Sequence, residues 1–179
     1  MTRPALMEGG LVVVAGLALY GAAAGIEIAL GANHNVSALL EELEKSVLIM
    51  LFGWLGIRAR AASWEHSPAK QARSLALGAA RGLSLGLVAV TVFAGAENLG
   101  YLIAFPESGV LTRLLWSLPV HLVAALTEAL GALCLFHWLG GTGKLKRRLA
   151  GLPIWIGTMV LAMAWHLAAN LLVSNRLAF

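Results

Sequence analysis

Residues 74–105 read SLALGAARGLSLGLVAVTVFAGAENLGYLIAF, an apolar run broken only by the charges of Arg81 and Glu97. As a helix rising about 1.5 Å per residue, it is longer than the ~30 Å hydrocarbon core of a bilayer. Four further apolar stretches flank it, at roughly 9–32, 36–57, 113–139 and 152–173. The expected fold is therefore all-α. A single polytopic transmembrane helix bundle of about five spans fills residues 1–179. The stretch 74–105 is over-long, so it is expected to be tilted or broken, and a break would add a sixth segment.

Composition points the same way. The chain of 179 residues is 59% hydrophobic and 12% charged, where a soluble domain carries roughly 25% charged residues. Such a chain could not cover a water-facing surface, whereas lipid requires an apolar one. The lone Cys134 excludes an intrachain disulfide. Ala22-Ala23-Ala24 resembles a signal-peptide cleavage site, but the apolar pattern continues past it, so residues 9–32 are read as a span.

Basic residues set the expected orientation. Arg58, Arg60, Lys70 and Arg73 separate the second and third stretches, and Lys144, Lys146, Arg147 and Arg148 separate the fourth and fifth. Arg3 precedes the first, while the remaining loops and the C-terminal end hold Arg113 and Arg176. The positive-inside rule then places the N-terminus in the cytoplasm and the C-terminus outside. Topology accounts for the net charge of +4, so no nucleic-acid partner is expected. Gly78, Gly82 and Gly86, and likewise Gly21 and Gly25, recur every four residues and are expected to line helix contacts. Trp64, Trp116, Trp138 and Trp155 are read as interface anchors or packing. His34, His66 and His137 are read as lying in or near loops, exposed to solvent.

Ionisable side chains inside a bilayer are costly and mark function. Glu41, Glu42, Glu44, Lys45, Arg81, Glu97, His121, Glu128 and His166 fall within the spans, with the amides Asn98 and Asn170. Counted from the expected outer ends, Glu41, Glu97, His121 and His166 lie about 7 to 12 Å deep, in one layer contributed by four helices. Glu41 and Lys45, Phe93 and Glu97, and His166 and Asn170 are spaced to share helix faces. Such a layer could hold water or a metal. Glu44 lies nearer the interface and is left outside it. Arg81 and Glu128 fall deeper, and an ion pair between the third and fourth spans is expected.

Four motifs occur in order on separate spans: Glu41-Glu42-Leu43-Glu44-Lys45 (E-E-x-x-K), Phe93-Ala94-Gly95-Ala96-Glu97-Asn98 (F-x-x-x-E-N) with Tyr101 following, His121 in a further span, and His166-Leu167-Ala168-Ala169-Asn170 (H-x-x-x-N). Together they resemble the PrsW family of intramembrane proteases, related to the CAAX prenyl proteases and bacteriocin-processing enzymes. The resemblance covers roughly residues 40–172 and leaves the first span unexplained. It implies hydrolysis of membrane-anchored protein substrates near the outer leaflet of a prokaryotic plasma membrane. The site it implies comprises Glu41, Glu42, Lys45, Glu97, His121, His166 and Asn170. Glu41, taken to share a face with Lys45, is the expected general base, with Glu42 supporting it. His166 and Asn170 would orient the water or stabilise the oxyanion, and His121 and Glu97 would complete the cluster.

Two imidazoles and a carboxylate, His121 and His166 with Glu97 or Glu41, also make a sufficient zinc set with water as fourth ligand. No H-E-x-x-H motif accompanies them. Metal-free and zinc mechanisms therefore both fit the residues, with the metal-free one preferred. Two other functions compete. A proton- or ion-coupled transporter would use a buried Glu/His/Lys layer as a relay, but no inverted repeat is evident. A non-catalytic membrane scaffold would have no need of this polar set.

Overall fold

The computed structural model describes residues 3–31, 34–61, 68–104, 113–139 and 149–177. The basic residues 144 and 146–148, together with Trp64 and His66, lie outside them. The side chains of Arg3, His34, Lys70 and Arg176 are likewise not described.

Five long helices follow one another: α1 (Arg3–Leu30), α2 (His34–Ala61), α3 (Pro68–Ala104), α4 (Leu118–Leu139) and α5 (Leu152–Leu177). A π-helical turn, Arg113–Ser117, leads into α4, and a 3₁₀ turn, Leu149–Gly151, leads into α5. Gly31 closes α1 at φ 57°, its N–H donating to Ile28 O at 3.2 Å. That left-handed position suits a residue without a Cβ. The over-long third stretch is one unbroken helix of 37 residues, so no sixth segment arises from it. Its length of about 55 Å exceeds any bilayer core.

Four helices are long and apolar enough to cross a membrane: residues 9–30 of α1, 73–104 of α3, 115–139 around α4 and 149–172 around α5. They mark an integral membrane protein. α2 has the same 28-residue length as α1 but is more polar, because Glu41, Glu42, Glu44 and Lys45 crowd its first half. It is also the helix that packs against all four others. A helix too polar for lipid is best placed where other helices surround it.

Large apolar side chains point outward and small ones inward. Leu17, Ile28, Leu130, Val160 and Leu172 are exposed, while Ala89, Ala94, Ala124, Ala125 and Ala132 are fully buried. In lipid, exposing leucine costs nothing and small residues let backbones approach.

The glycine spacing on α3 works as expected. Gly78, Gly82 and Gly86 lie against Gly56, Phe52 and Ile49 of α2, and a Cβ on Gly78 would stand 2.6 Å from the Gly56 carbonyl oxygen. The spacing on α1 does not: Gly21 and Gly25 face open space, and Gly16 makes the close approach instead, against Ala89 and Val92 of α3. Gly82→Ala would drive its methyl into the Phe52 carbonyl. It is expected to cost about 1–3 kcal/mol or more, since backbone cannot move aside as a side chain can. Gly21→Ala should instead be neutral or gain up to about 1 kcal/mol of helix propensity. Thermal unfolding of the two variants in the same detergent checks the contrast. Equal melting temperatures would show that the α2–α3 contact is looser than described.

Candidate active site

The polar layer is assembled by the first halves of α2 and α4 and the second halves of α3 and α5. Antiparallel neighbours bring these segments to one end of the bundle. Glu42, Lys45, His121 and His166 are buried to between 0% and 4% exposure, and Glu41 to 6%.

Glu42 stands at the centre. Its Oε1 accepts from Lys45 Nζ, one turn along α2, and from His166 Nδ1 of α5 at 2.7 Å. Lys45 Nζ also lies 2.9 Å from His121 Nδ1 of α4 and 5.5 Å from the centre of the Phe93 ring. The two imidazoles meet edge to face, 4.7 Å between centroids. His121 Nε2 lies 3.0 Å from Glu97 Oε2, off the line of a hydrogen bond, and His166 Nε2 lies 3.8 Å from Glu41 Oε2.

With Lys45 as ammonium and Glu42 as carboxylate, these contacts assign the imidazole protons. An ammonium only donates, so the His121 Nδ1 facing Lys45 is the acceptor nitrogen, and its proton sits on Nε2 towards Glu97. A carboxylate only accepts, so His166 Nδ1 carries the proton given to Glu42 and Nε2 faces Glu41.

Six of the seven expected site residues are thus joined: Glu41, Glu42, Lys45, Glu97, His121 and His166. Asn170 is half-buried one turn beyond His166 on α5. Lys45 pairs with Glu42, at i,i+3, while Glu41, at i,i+4, is the residue expected to share its face. Both spacings bring side chains together. The tie to Glu42 leaves Glu41 to face the imidazole of α5 and a cavity. Asn98 donates back to Ala94 O of its own helix at 2.7 Å.

That cavity, of about 450 Å³, lies between α1 and α3 over the start of α2. Glu41, Glu97, Phe93, Tyr101 and Tyr20 line it. Sequence reasoning left α1 without a role, yet α1 supplies one wall. Tyr20 was the available signal, as one of only two tyrosines in the chain.

One oxygen or nitrogen from each of Glu41, His121 and His166 falls within 4.8 Å of the others. Glu41, and not Glu97, therefore completes the nearest approach to a metal set among the described residues. A tetrahedral zinc holds its ligand atoms about 3.4 Å apart, each offering a lone pair. His166 Nε2 meets that need, with Glu42 behind it in the supporting place. His121 does not: Lys45 occupies its acceptor nitrogen and the other carries a proton. In this arrangement the residues do not fit a zinc ion.

The expected ion pair between Arg81 and Glu128 is not formed. Arg81 is exposed, whereas Glu128 is fully buried on the face of α4 that carries His121. Neither Glu128 oxygen has a hydrogen-bond partner among the described residues, nor has the buried hydroxyl of Ser46. Burying a polar group without a partner costs roughly 1–3 kcal/mol. Glu128→Leu is accordingly expected to raise stability by about that amount, read as a higher melting temperature. A lower one would mean that the carboxyl has a partner in the membrane. Trp155, read as an interface anchor or packing, packs against the apolar core with its Nε1 buried. Trp116, Trp138 and His137 are exposed.

No known protein family, curated protein or solved structure matches the chain.

Proposed function

We propose that the chain is an intramembrane endopeptidase that hydrolyses membrane-anchored protein substrates through a glutamate-activated water. The observation that carries this reading is the position of Glu41. Glu41 and Glu97 both line the cavity and face an imidazole of the buried cluster, but Glu97 faces the nitrogen of His121 that carries the proton, at 3.0 Å, whereas Glu41 faces the unprotonated Nε2 of His166, at 3.8 Å.

In this mechanism Glu41 takes a proton from water as the oxygen adds to the peptide carbonyl carbon. The same proton then passes to the departing amine as the C–N bond breaks, giving a carboxylic acid and an amine. Glu42 and Lys45 do not meet the substrate; they hold the two rings in the required tautomers. Asn170 serves from the edge of the cluster.

Supporting this reading are the four motifs that resemble the PrsW family and the depth of the layer. The basic loops further suggest a cytoplasmic N-terminus, an outer C-terminus and a site towards the outer face of a prokaryotic plasma membrane. Because Lys45 faces His121 Nδ1 and the ring proton then sits on Nε2, the metal-free form is preferred, and activity should persist in a chelator. A transporter would need polar groups running on through the bundle. Past the cluster the interior is built from Leu48, Ile49, Phe52, Leu83, Val90 and Phe136, with Ser46 and Glu128 the buried polar exceptions among the described residues. The test is incubation of the purified chain in liposomes with a panel of single-span substrates, with products identified by mass spectrometry. Ion flux without cleavage would favour transport.

A further inference from the structure

Peptide hydrolysis needs more than a base. As water adds, the carbonyl oxygen takes on negative charge, and a donor already aimed at it lowers the barrier. The side chains on the cavity wall differ in what they offer that oxygen. Glu41 and Glu97 are carboxylates, which accept. The O–H donors on the wall are the phenols of Tyr20 and Tyr101. Tyr101 already takes part in another interaction of the fold. The Tyr20 hydroxyl has no hydrogen-bond partner among the described residues, and the ring contact with Phe93 leaves its O–H unengaged.

Two residues of α3 set the position of that hydroxyl. The Tyr20 ring stands edge to face with Phe93, 6.1 Å between centroids and 76° between planes, an arrangement that aromatic pairs favour. Its oxygen lodges against Gly100, in the space that a Cβ there would fill. Phe93 lies four residues before Glu97 and Gly100 three residues after it, so the three share one face of α3. Tyr20 of α1 thus lies along the turn that carries Glu97, on the wall of the cavity that Glu41 enters from α2. No bond within the protein has to break before the hydroxyl can donate to a bound substrate, which is what preorganisation requires.

Resting on the protease reading, we infer that Tyr20 is a catalytic residue whose O–H donates to the carbonyl oxygen of the scissile peptide bond. Glu41 takes the proton of the attacking water, while Tyr20 meets the oxygen that becomes negative. The hydrogen bond strengthens as C=O turns into C–O⁻, and the phenolic proton stays on Tyr20 throughout. When the C–N bond breaks, the carbonyl re-forms and the hydrogen bond weakens again. α1, which carries none of the four motifs, then belongs to the catalytic machinery.

Tyr20→Phe removes the hydroxyl and keeps the ring on Phe93. Wild type and variant are reconstituted in liposomes with the single-span substrate panel, and initial rates are measured over a range of substrate concentrations by mass spectrometry. Losing one donor to an oxyanion should lower kcat about 10²- to 10³-fold. KM should change less than about twofold, since the bond matters in the transition state. The melting temperature should hold, because no hydrogen bond within the protein is lost. Gly100→Ala is the second variant. Its methyl takes the place of the hydroxyl oxygen and displaces the end of a side chain, not backbone. It should lower kcat at least about tenfold alone, and lower it no further when combined with Tyr20→Phe. Should Tyr20→Phe not fold, Gly100→Ala decides alone, and a kcat at the wild-type level would overturn the assignment. Equal kcat in wild type and Tyr20→Phe would likewise overturn it and leave the protease reading standing. Cleavage by no variant and not by wild type would remove the protease reading itself, and the assignment with it.

Discussion

Lys45→Met should cost about 3–5 kcal/mol of stability, enough to prevent accumulation of folded protein. Lys45 and Glu42 are both at 0% exposure, so removing the ammonium strands a carboxylate with no access to water. It also removes the donor that fixes the His121 tautomer. Pairing the change with Glu42→Leu removes the stranded charge. Most of the stability should return, less about 1–3 kcal/mol for the His166 N–H that loses its acceptor. Cleavage should not return, because neither imidazole is then held. Chemical unfolding of the single and double variants in one detergent reads this directly. A single variant as stable as wild type would mean that the cluster is open to water.

The reason to expect such coupling lies in how the fold is built. α2 is the most polar helix, and it packs against all four others while its Leu39, Leu43, Val47 and Leu51 stripe stays exposed. Its Lys45–Glu42 pair is joined to His121 of α4 and His166 of α5, so the same contacts stabilise the protein and form the site.

Much of this was legible in the sequence. The apolar runs gave the five helices and the all-α class, because lipid imposes a length and a composition that stand out over about 20 residues. The unusual charges on those helices gave six joined site residues. What the sequence left open is rotational detail. Spacings of three and four are equivalent along a helix, so Lys45 could have met Glu41 or Glu42, and only packing against α4 and α5 decided for Glu42. A glycine pair marks a close contact only if its face meets a neighbour. On α3 it does; on α1 the contact falls at Gly16, which has no partner glycine at the expected spacing. Arg81 and Glu128 lie at similar depth yet on faces that do not meet, which depth alone could not reveal. The wall supplied by Tyr20 depends on α1 lying beside α3, and no motif encodes that adjacency.

Glu41→Gln is expected to have the larger catalytic effect, with little change in stability. The amide keeps the shape of the carboxylate and one acceptor oxygen, and its NH2 can donate to His166 Nε2. It cannot accept the proton of the attacking water. Loss of a positioned general base lowers the rate about 10²- to 10⁴-fold. Glu41→Asp should recover part of that, since the base returns about one bond short of its place. Glu42→Gln should also lose activity, but together with stability, and this separates the reacting carboxylate from the one that positions the rings.

The central claim is that Glu41 activates water at a peptide bond. It is tested most directly by incubating wild type and Glu41→Gln, reconstituted in parallel, with the single-span substrate panel in ¹⁸O-labelled water, with and without chelator. The expected result is one or more cleaved substrates whose new C-terminus carries ¹⁸O, formed by wild type regardless of chelator and at least about 10²-fold more slowly by Glu41→Gln. Product formed equally fast by both proteins, or by neither across the panel, would contradict it.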